Sequence, residues 1–287
     1  MSTETVSSPL LKSAGVTGSQ SAGLPITRDL TLAYAFSFVI ALVMTVASAA
    51  GLLYRTTLYP AGEPLYAFVA TDTLNLVVGL PVLLGSMWLA RRGKLIGLLC
   101  WPAILIYVLY IHLSKAIGVP FGILFLPYLV LVMLSAYTAI GLVACIDGER
   151  VRRRLTGLVP VRLAGGILFG ISFLYLLIEV SQIVTALADQ TPVGAEISNW
   201  IADWTTLCPA WLIGGFLLWR RKALGYVAGV GLLLLGSLLF IGIIPVIVFT
   251  ALYTASPIDV GGIVEMLVMG LICFIPFGLY VRGIVRS

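Results

Sequence analysis

An all-α protein that crosses a membrane eight times is what the sequence predicts, and three observations carry that prediction. Hydrophobic residues fill 60% of the 287 positions and charged residues only 10%, against about 25% charged in an ordinary soluble chain. The apolar residues gather into eight stretches close to the length of about 20 residues that a helix needs to cross a hydrocarbon core about 30 Å thick. Between the stretches, the loops alternate between basic and acidic.

The expected spans are residues 31–54, 72–90, 95–113, 121–146, 161–188, 200–219, 224–250 and 260–281. Only a few residues separate the second span from the third, which forces an antiparallel helical hairpin. The segment before the sixth, with Glu196, Asn199, Trp200, Asp203 and Trp204, also has the composition of an amphipathic helix lying at the interface.

Direction follows from the retention of Lys and Arg on the cytoplasmic side. Of the 17 basic residues, 15 sort to one side: Lys12, Arg28, Arg91, Arg92, Lys94, Arg150, Arg152, Arg153, Arg154, Arg162, Arg220, Arg221, Lys222, Arg282 and Arg286. Arg55 and Lys115 fall outside the pattern. The opposite side holds Glu63, Asp72, Asp189, Glu196, Asp203 and Asp259, so both termini are expected in the cytoplasm. The net charge of +5 is then a topology signal, and a nucleic-acid partner is not expected; the partner is the lipid bilayer of the cell (inner) membrane.

The organisation expected from these readings is a disordered cytoplasmic tail over 1–29, a four-helix half over 30–146, a basic cytoplasmic loop over 147–160 and a second four-helix half over 161–287. The tail is rich in Ser, Thr and Gly and lacks the basic start, apolar core and cleavage site of a signal peptide. A weak duplication suggests how the halves relate. Asp72, Pro81, Gly85, Trp88 and Arg91-Arg92-Gly93-Lys94 of the second span resemble Asp203, Pro209, Gly214, Trp219 and Arg220-Arg221-Lys222 of the sixth. Both halves start from the cytoplasm, so the repeat is parallel, four helices plus four, and a site is expected between them.

Prolines at 81, 102, 127, 209, 245 and 276 each remove a backbone donor within a predicted helix, so kinks are expected there. Small-residue spacings, Gly166 with Gly170 and Gly225 with Gly229, read as close helix packing. Cys100, Cys145, Cys208 and Cys273 have no CxxC spacing and read as apolar filler, without a disulfide.

Ionisable residues within the spans carry the strongest functional signal, because a charge at the bilayer centre costs about 3 kcal/mol or more. Ser172, Tyr175, Glu179 and Gln182 follow the 3, 4, 3 spacing of one helix face, and that face is expected to look inward. Glu265 lies in the outer half of the eighth span, and Asp72, Asn75 and Asp203 in the outermost turns of the second and sixth. Glu179, Gln182, Tyr175, Glu265, Asp72, Asn75 and Asp203 are therefore the candidate residues for binding a cation, a proton or a small solute in an outward-biased polar cavity. For Asp72 and Asp203, the plainer reading is preferred: they lie at the water boundary. His112 reads as structural, and Lys115 as solvated or paired with an acid.

The motifs that the chain lacks narrow the function further. A single His excludes bis-histidine haem, an HExxH zinc site and a histidine cluster. No GxxxxGK[ST] loop, Gly-x-Ser-Gly turn or Lys in the late spans is present. No catalytic residue, metal or cofactor is expected. Three classes remain: a transporter or channel for a small solute, cation or proton, then a non-catalytic sensing or assembly module, and last a lipid-modifying enzyme working through carboxylates.

Overall fold

The structure, a computed structural model, describes residues 23–190, 194 and 196–286. Among these, eight helices are long and apolar enough to span a membrane: α1 (Thr31–Leu53), α2 (Leu65–Arg91), α3 (Leu95–Gly118), α4 (Phe125–Cys145), α5 (Val161–Ala188), α6 (Glu196–Trp219), α7 (Ala223–Thr254) and α8 (Val260–Val285). The shortest, α4, has 21 residues and rises about 31 Å. Helices satisfy their own backbone groups, which is what a solvent without hydrogen bonds demands. Their outer faces carry exposed Phe38, Val77, Tyr137, Phe173 and Val264, a surface suited to lipid chains.

Several helices are longer than the sequence predicts. Helix α2 starts at Leu65 rather than 72, and α6 at Glu196 rather than 200. The residues added to α6 are mostly polar, which hydropathy assigns to water, yet Ser198 is buried against the bundle. The stretch before the sixth span is thus the first part of α6 itself.

Helices α2 and α6 share an interruption, a π turn at Asn75–Gly79 in one and at Asp203–Leu207 in the other. Each turn ends two residues before a proline, Pro81 or Pro209. A proline inside a helix lacks a donor and crowds the carbonyl one turn back, and widening that turn relieves the crowding. Pro102, Pro245 and Pro276 sit within continuous α-helix, and Pro127 lies in the first turn of α4, where a missing donor costs nothing.

Helix α3 is the most buried of the eight and α8 the least. Around α3, α1 packs on α2 and α4, α2 on α3, and α3 on α4. In the second half α5 packs on α6 and α8, α6 on α7, and α7 on α8. Across the middle, α3 meets α6 and α7, while α7 meets α2 and α3. Polar bonds pin these packings: Trp101 Nε1 donates to Ser37 Oγ at 2.9 Å, and Tyr280 Oη to the carbonyl of Tyr226 at 3.0 Å.

The α2–α3 and α6–α7 turns are built alike. Gly93 N–H donates to Ala90 O at 2.9 Å and Lys94 N–H to Leu89 O at 2.9 Å; Arg221 N–H donates to Leu218 O at 2.9 Å and Lys222 N–H to Leu217 O at 2.8 Å. This is the paired closure of a Schellman cap, and Gly93 (φ 74°) and Arg221 (φ 55°) both take the left-handed conformation it needs. Just beyond, Gly97 and Gly225 press against the preceding helix. A Cβ on Gly97 would lie 2.5 Å from Ala90 N, and one on Gly225 would strike the backbone at Leu218. Of the small-residue pairs predicted to pack, Gly225 and Gly229 do so. Gly166 and Gly170 meet nothing within 4 Å, and the close approach on α5 is made by Gly165 against Gly215 and Trp219.

The basic segments gather at one end of the bundle. Between α4 and α5, the helix Gly148–Leu155 is capped by Asp147, whose Oδ1 accepts from Arg150 N–H at 3.0 Å, and a Cβ on Gly148 would lie 3.2 Å from Ala223 at the start of α7. Near the C-terminus of α8, Gly283 meets Leu158 and Val159. The expected disordered tail over 1–29 is corrected in its last part: Thr27 N–H donates to Cys145 O and Asp147 N–H to Pro25 O, both at 2.8 Å, with an isolated bridge between Ile26 and Ile146. These bonds fix residues 25–27 to the end of α4. The rest of that expectation, over residues 1–22, lies outside the described residues.

Because its missing Cβ lets two backbones touch, Gly225→Ala is expected to lower stability by about 1–3 kcal/mol, while Gly170→Ala stays within about 0.5 kcal/mol of the parent. Thermal unfolding of the two purified variants reads the difference.

Candidate functional site

Two acidic centres lie inside the bundle, and a cavity runs between the halves beside them. The first centre is built on Asp72 of α2, one turn before the π turn. Its Oδ1 accepts from Lys115 Nζ of α3 in a salt bridge, and its Oδ2 from Tyr59 Oη in the α1–α2 connection. Tyr59 Oη lies 3.3 Å from Tyr128 Oη of α4, and the Lys115 ammonium is 5.6 and 5.9 Å from the centroids of these two rings. Space for the group comes from α1, because a Cβ on Gly51 would collide with Asp72 Oδ2 and Tyr59 Oη.

Asn75 extends this centre. Its Nδ2 donates to Ser48 Oγ of α1 at 3.2 Å, and its Oδ1 accepts from Tyr107 Oη of α3 at 3.0 Å. His112, also buried, lies near Tyr128, with ring centroids 5.9 Å apart, and its Nδ1 is 2.8 Å from Val108 O. Its Nε2 has no hydrogen-bond partner among the described residues.

The second centre joins Glu179 of α5 to Asp203, the first residue of the α6 π turn. Their carboxyls lie within interaction range of each other, with Tyr110 of α3 beside Asp203 and Trp204 beside Glu179. Both are 4% exposed. Glu179 Oε2 and Asp203 Oδ1 have no hydrogen-bond partner, and neither carboxyl has a Lys or Arg in ion-pair range among the described residues. Two carboxylates in contact within a low-dielectric interior repel too strongly for both to be ionised.

Next to both centres lies a cavity of about 590 Å³. Its wall draws on α2, α3, α5, α6, α7 and α8, including Tyr107, Tyr110, Lys115, Tyr175, Trp211 and Phe274. Tyr175 meets Trp211 and Phe240 edge-on, with centroids 6.3 and 5.9 Å apart. Tyr110 reaches the cavity on one side and Asp203 on the other. Most of the wall is apolar, which corrects the expected polar cavity: Lys115 lines it, while Asp72, Glu179 and Asp203 stand behind it and tyrosines in front.

The sequence candidates separate accordingly. Glu179, Asp203, Asp72 and Asn75 are buried, and Tyr175 is half-buried on the cavity wall. The water-boundary reading of Asp72 and Asp203 is overturned, since both sit behind neighbouring helices. Gln182 is exposed, its Oε1 accepting from Trp200 Nε1 at 3.3 Å; Ser172 and Glu179 face inward, but their stripe leaves the bundle before Gln182. Glu265 is exposed on peripheral α8 and does not join Glu179. Tyr59, Tyr107, Tyr110 and Tyr128 were missed, because tyrosine in an apolar helix gives no signal of its own. Lys115 did give one, as a cation on the wrong side of the charge pattern.

Removing the lysine head strands a buried carboxylate, so Lys115→Met is expected to cost about 3–5 kcal/mol. Adding Asp72→Asn should recover part of that loss. A double-mutant cycle by thermal unfolding checks the coupling, and strictly additive losses contradict it.

No protein-family model, no curated protein and no solved structure matches this chain.

Proposed function

We propose that this chain is a carrier of the cell membrane that moves a small solute through the cavity between its halves, coupled to a proton held by Glu179 and Asp203. The observation that carries this reading is the contrast between the two acidic centres. Asp72 has its own counter-ion in Lys115, whereas among the described residues Glu179 and Asp203 have none and keep one oxygen each without a partner. A structural polar contact has no need to retain such a pair, since an intramembrane acid is costly. A coupling ion explains it, and Tyr110 supplies a hydroxyl between the pair and the cavity.

A parallel repeat of two four-helix halves is part of the proposal. The same spacing of 128 residues separates Asn75 from Asp203, Pro81 from Pro209, Gly93 from Arg221, Lys94 from Lys222 and Gly97 from Gly225. At that spacing the π turns, the left-handed cap residues and the close glycines all coincide. This register sets Asn75, not Asp72, opposite Asp203, and Gly51 opposite Glu179. Contacts across the middle exchange in the same sense, α3 with α6 and α7 with α2. Two halves so related can rock about a site at their interface, as in alternating access.

The basic end, with both ordered termini and the helix Gly148–Leu155, is assigned to the cytoplasm by the retention of Lys and Arg. A cysteine at exposed Arg153 should therefore escape a membrane-impermeant thiol reagent in intact cells and react after permeabilisation. Labelling in intact cells overturns the orientation.

For coupling, Glu179→Gln and Asp203→Asn are each expected to reduce proton-coupled flux in proteoliposomes at least ten-fold while leaving thermal stability close to the parent. Flux equal to the parent in both variants removes the pair from the mechanism.

A further inference from the structure

We propose that the occupant of the cavity is an amphiphile with one anionic head and an apolar tail, bound head-first to Lys115. The proposal rests on the carrier reading and adds the class of solute. Among the described residues Lys115 is the one formally charged side chain on the cavity wall; Asp72, Glu179 and Asp203 all stand behind it. A cationic solute would meet an ammonium and no carboxylate. An anionic one meets a donor already held in place.

The ammonium has three N–H donors, and Asp72 Oδ1 accepts from it at one. No second acceptor meets it among the described residues, and the tyrosine rings beside it offer only their faces. Lys115 is only 1% exposed, so an anionic head reaches the remaining donors by parting the side chains that cover them, and the Asp72 pair is kept. Ser114, Ser198 and Asn199 line the same end of the cavity, with Ser114 Oγ donating to Asn199 Oδ1 at 2.7 Å. Hydroxyl and amide groups around a lysine complete a head-group pocket.

Away from that end the wall is mostly apolar, with Trp211, Leu238 and Phe240, interrupted by Tyr107, Tyr110 and Tyr175. The polar end lies near the last turn of α3, while Tyr107, eight residues earlier, lines the deeper part. Eight helical residues rise about 12 Å. The cavity thus passes from a charged pole near one membrane face to an apolar pole near mid-bilayer. This polarity matches a single-tailed amphiphile and neither a sugar nor an inorganic ion.

The test uses the full chain in nanodiscs of zwitterionic phosphatidylcholine, with empty nanodiscs as the partition blank. Decanoate, decyl phosphate, decylammonium and 1-decanol are titrated by calorimetry. At least one of the two anions is expected to bind saturably, one per chain, and ten-fold or more tighter than both decylammonium and decanol. The ranking of decanoate against decyl phosphate tells a carboxylate head from a phospholipid-like one. The paired variant Lys115→Met with Asp72→Asn should bring the anions level with decanol, and Leu238→Trp should weaken all four probes. Equal affinity for decylammonium overturns the proposal, as does an anion preference that survives in the paired variant. The ranking on the unmodified chain decides even if the paired variant does not fold. Anion binding without any flux refutes the carrier reading alone, and flux without anion preference refutes this one alone.

Discussion

Hydrocarbon solvates neither a peptide group nor a charge, and the whole arrangement of this protein answers that constraint. Backbone groups are satisfied inside eight helices, and Asp72, Lys115, Glu179 and Asp203 are drawn behind helix faces. Asp72 illustrates the cost of doing so. Its carboxylate engages an ammonium and a phenol, and space for it requires a glycine on α1. Breaking such a pair is far more costly than never having built it, so α1, α2, α3 and α4 are tied together around one ion pair.

The second acidic centre obeys the same constraint by another route. Among the described residues Glu179 and Asp203 have no basic side chain in ion-pair range, and each keeps one oxygen without a hydrogen-bond partner. Two segments that share π turns and caps thus carry chemically different centres, one with an ion pair and one without among the described residues. The cavity between them has access to both, through Lys115 and through Tyr110.

The π turns connect local chemistry to this division of labour. Prolines at 81 and 209 crowd the turn just before them, and a widened turn there begins at Asn75 or Asp203. Each polar residue then bonds or contacts a neighbouring helix instead of facing lipid. Placement of the site therefore depends on a backbone irregularity that hydropathy does not register.

Eight spans, their order and the gathering of basic residues at one end follow from the sequence alone, because lipid imposes length and hydropathy on each helix independently of its neighbours. Glu179 was legible for the same reason, as a carboxylate where lipid tolerates none. Which helix faces meet was not legible, since every face of these helices is apolar enough for either lipid or protein. Only the tertiary packing set Lys115 against Asp72, brought Asp203 to Glu179, turned Gln182 and Glu265 outward and left a cavity between the halves. Those outcomes arise from side chains far apart in the chain, and no local pattern of residues encodes the distance between them.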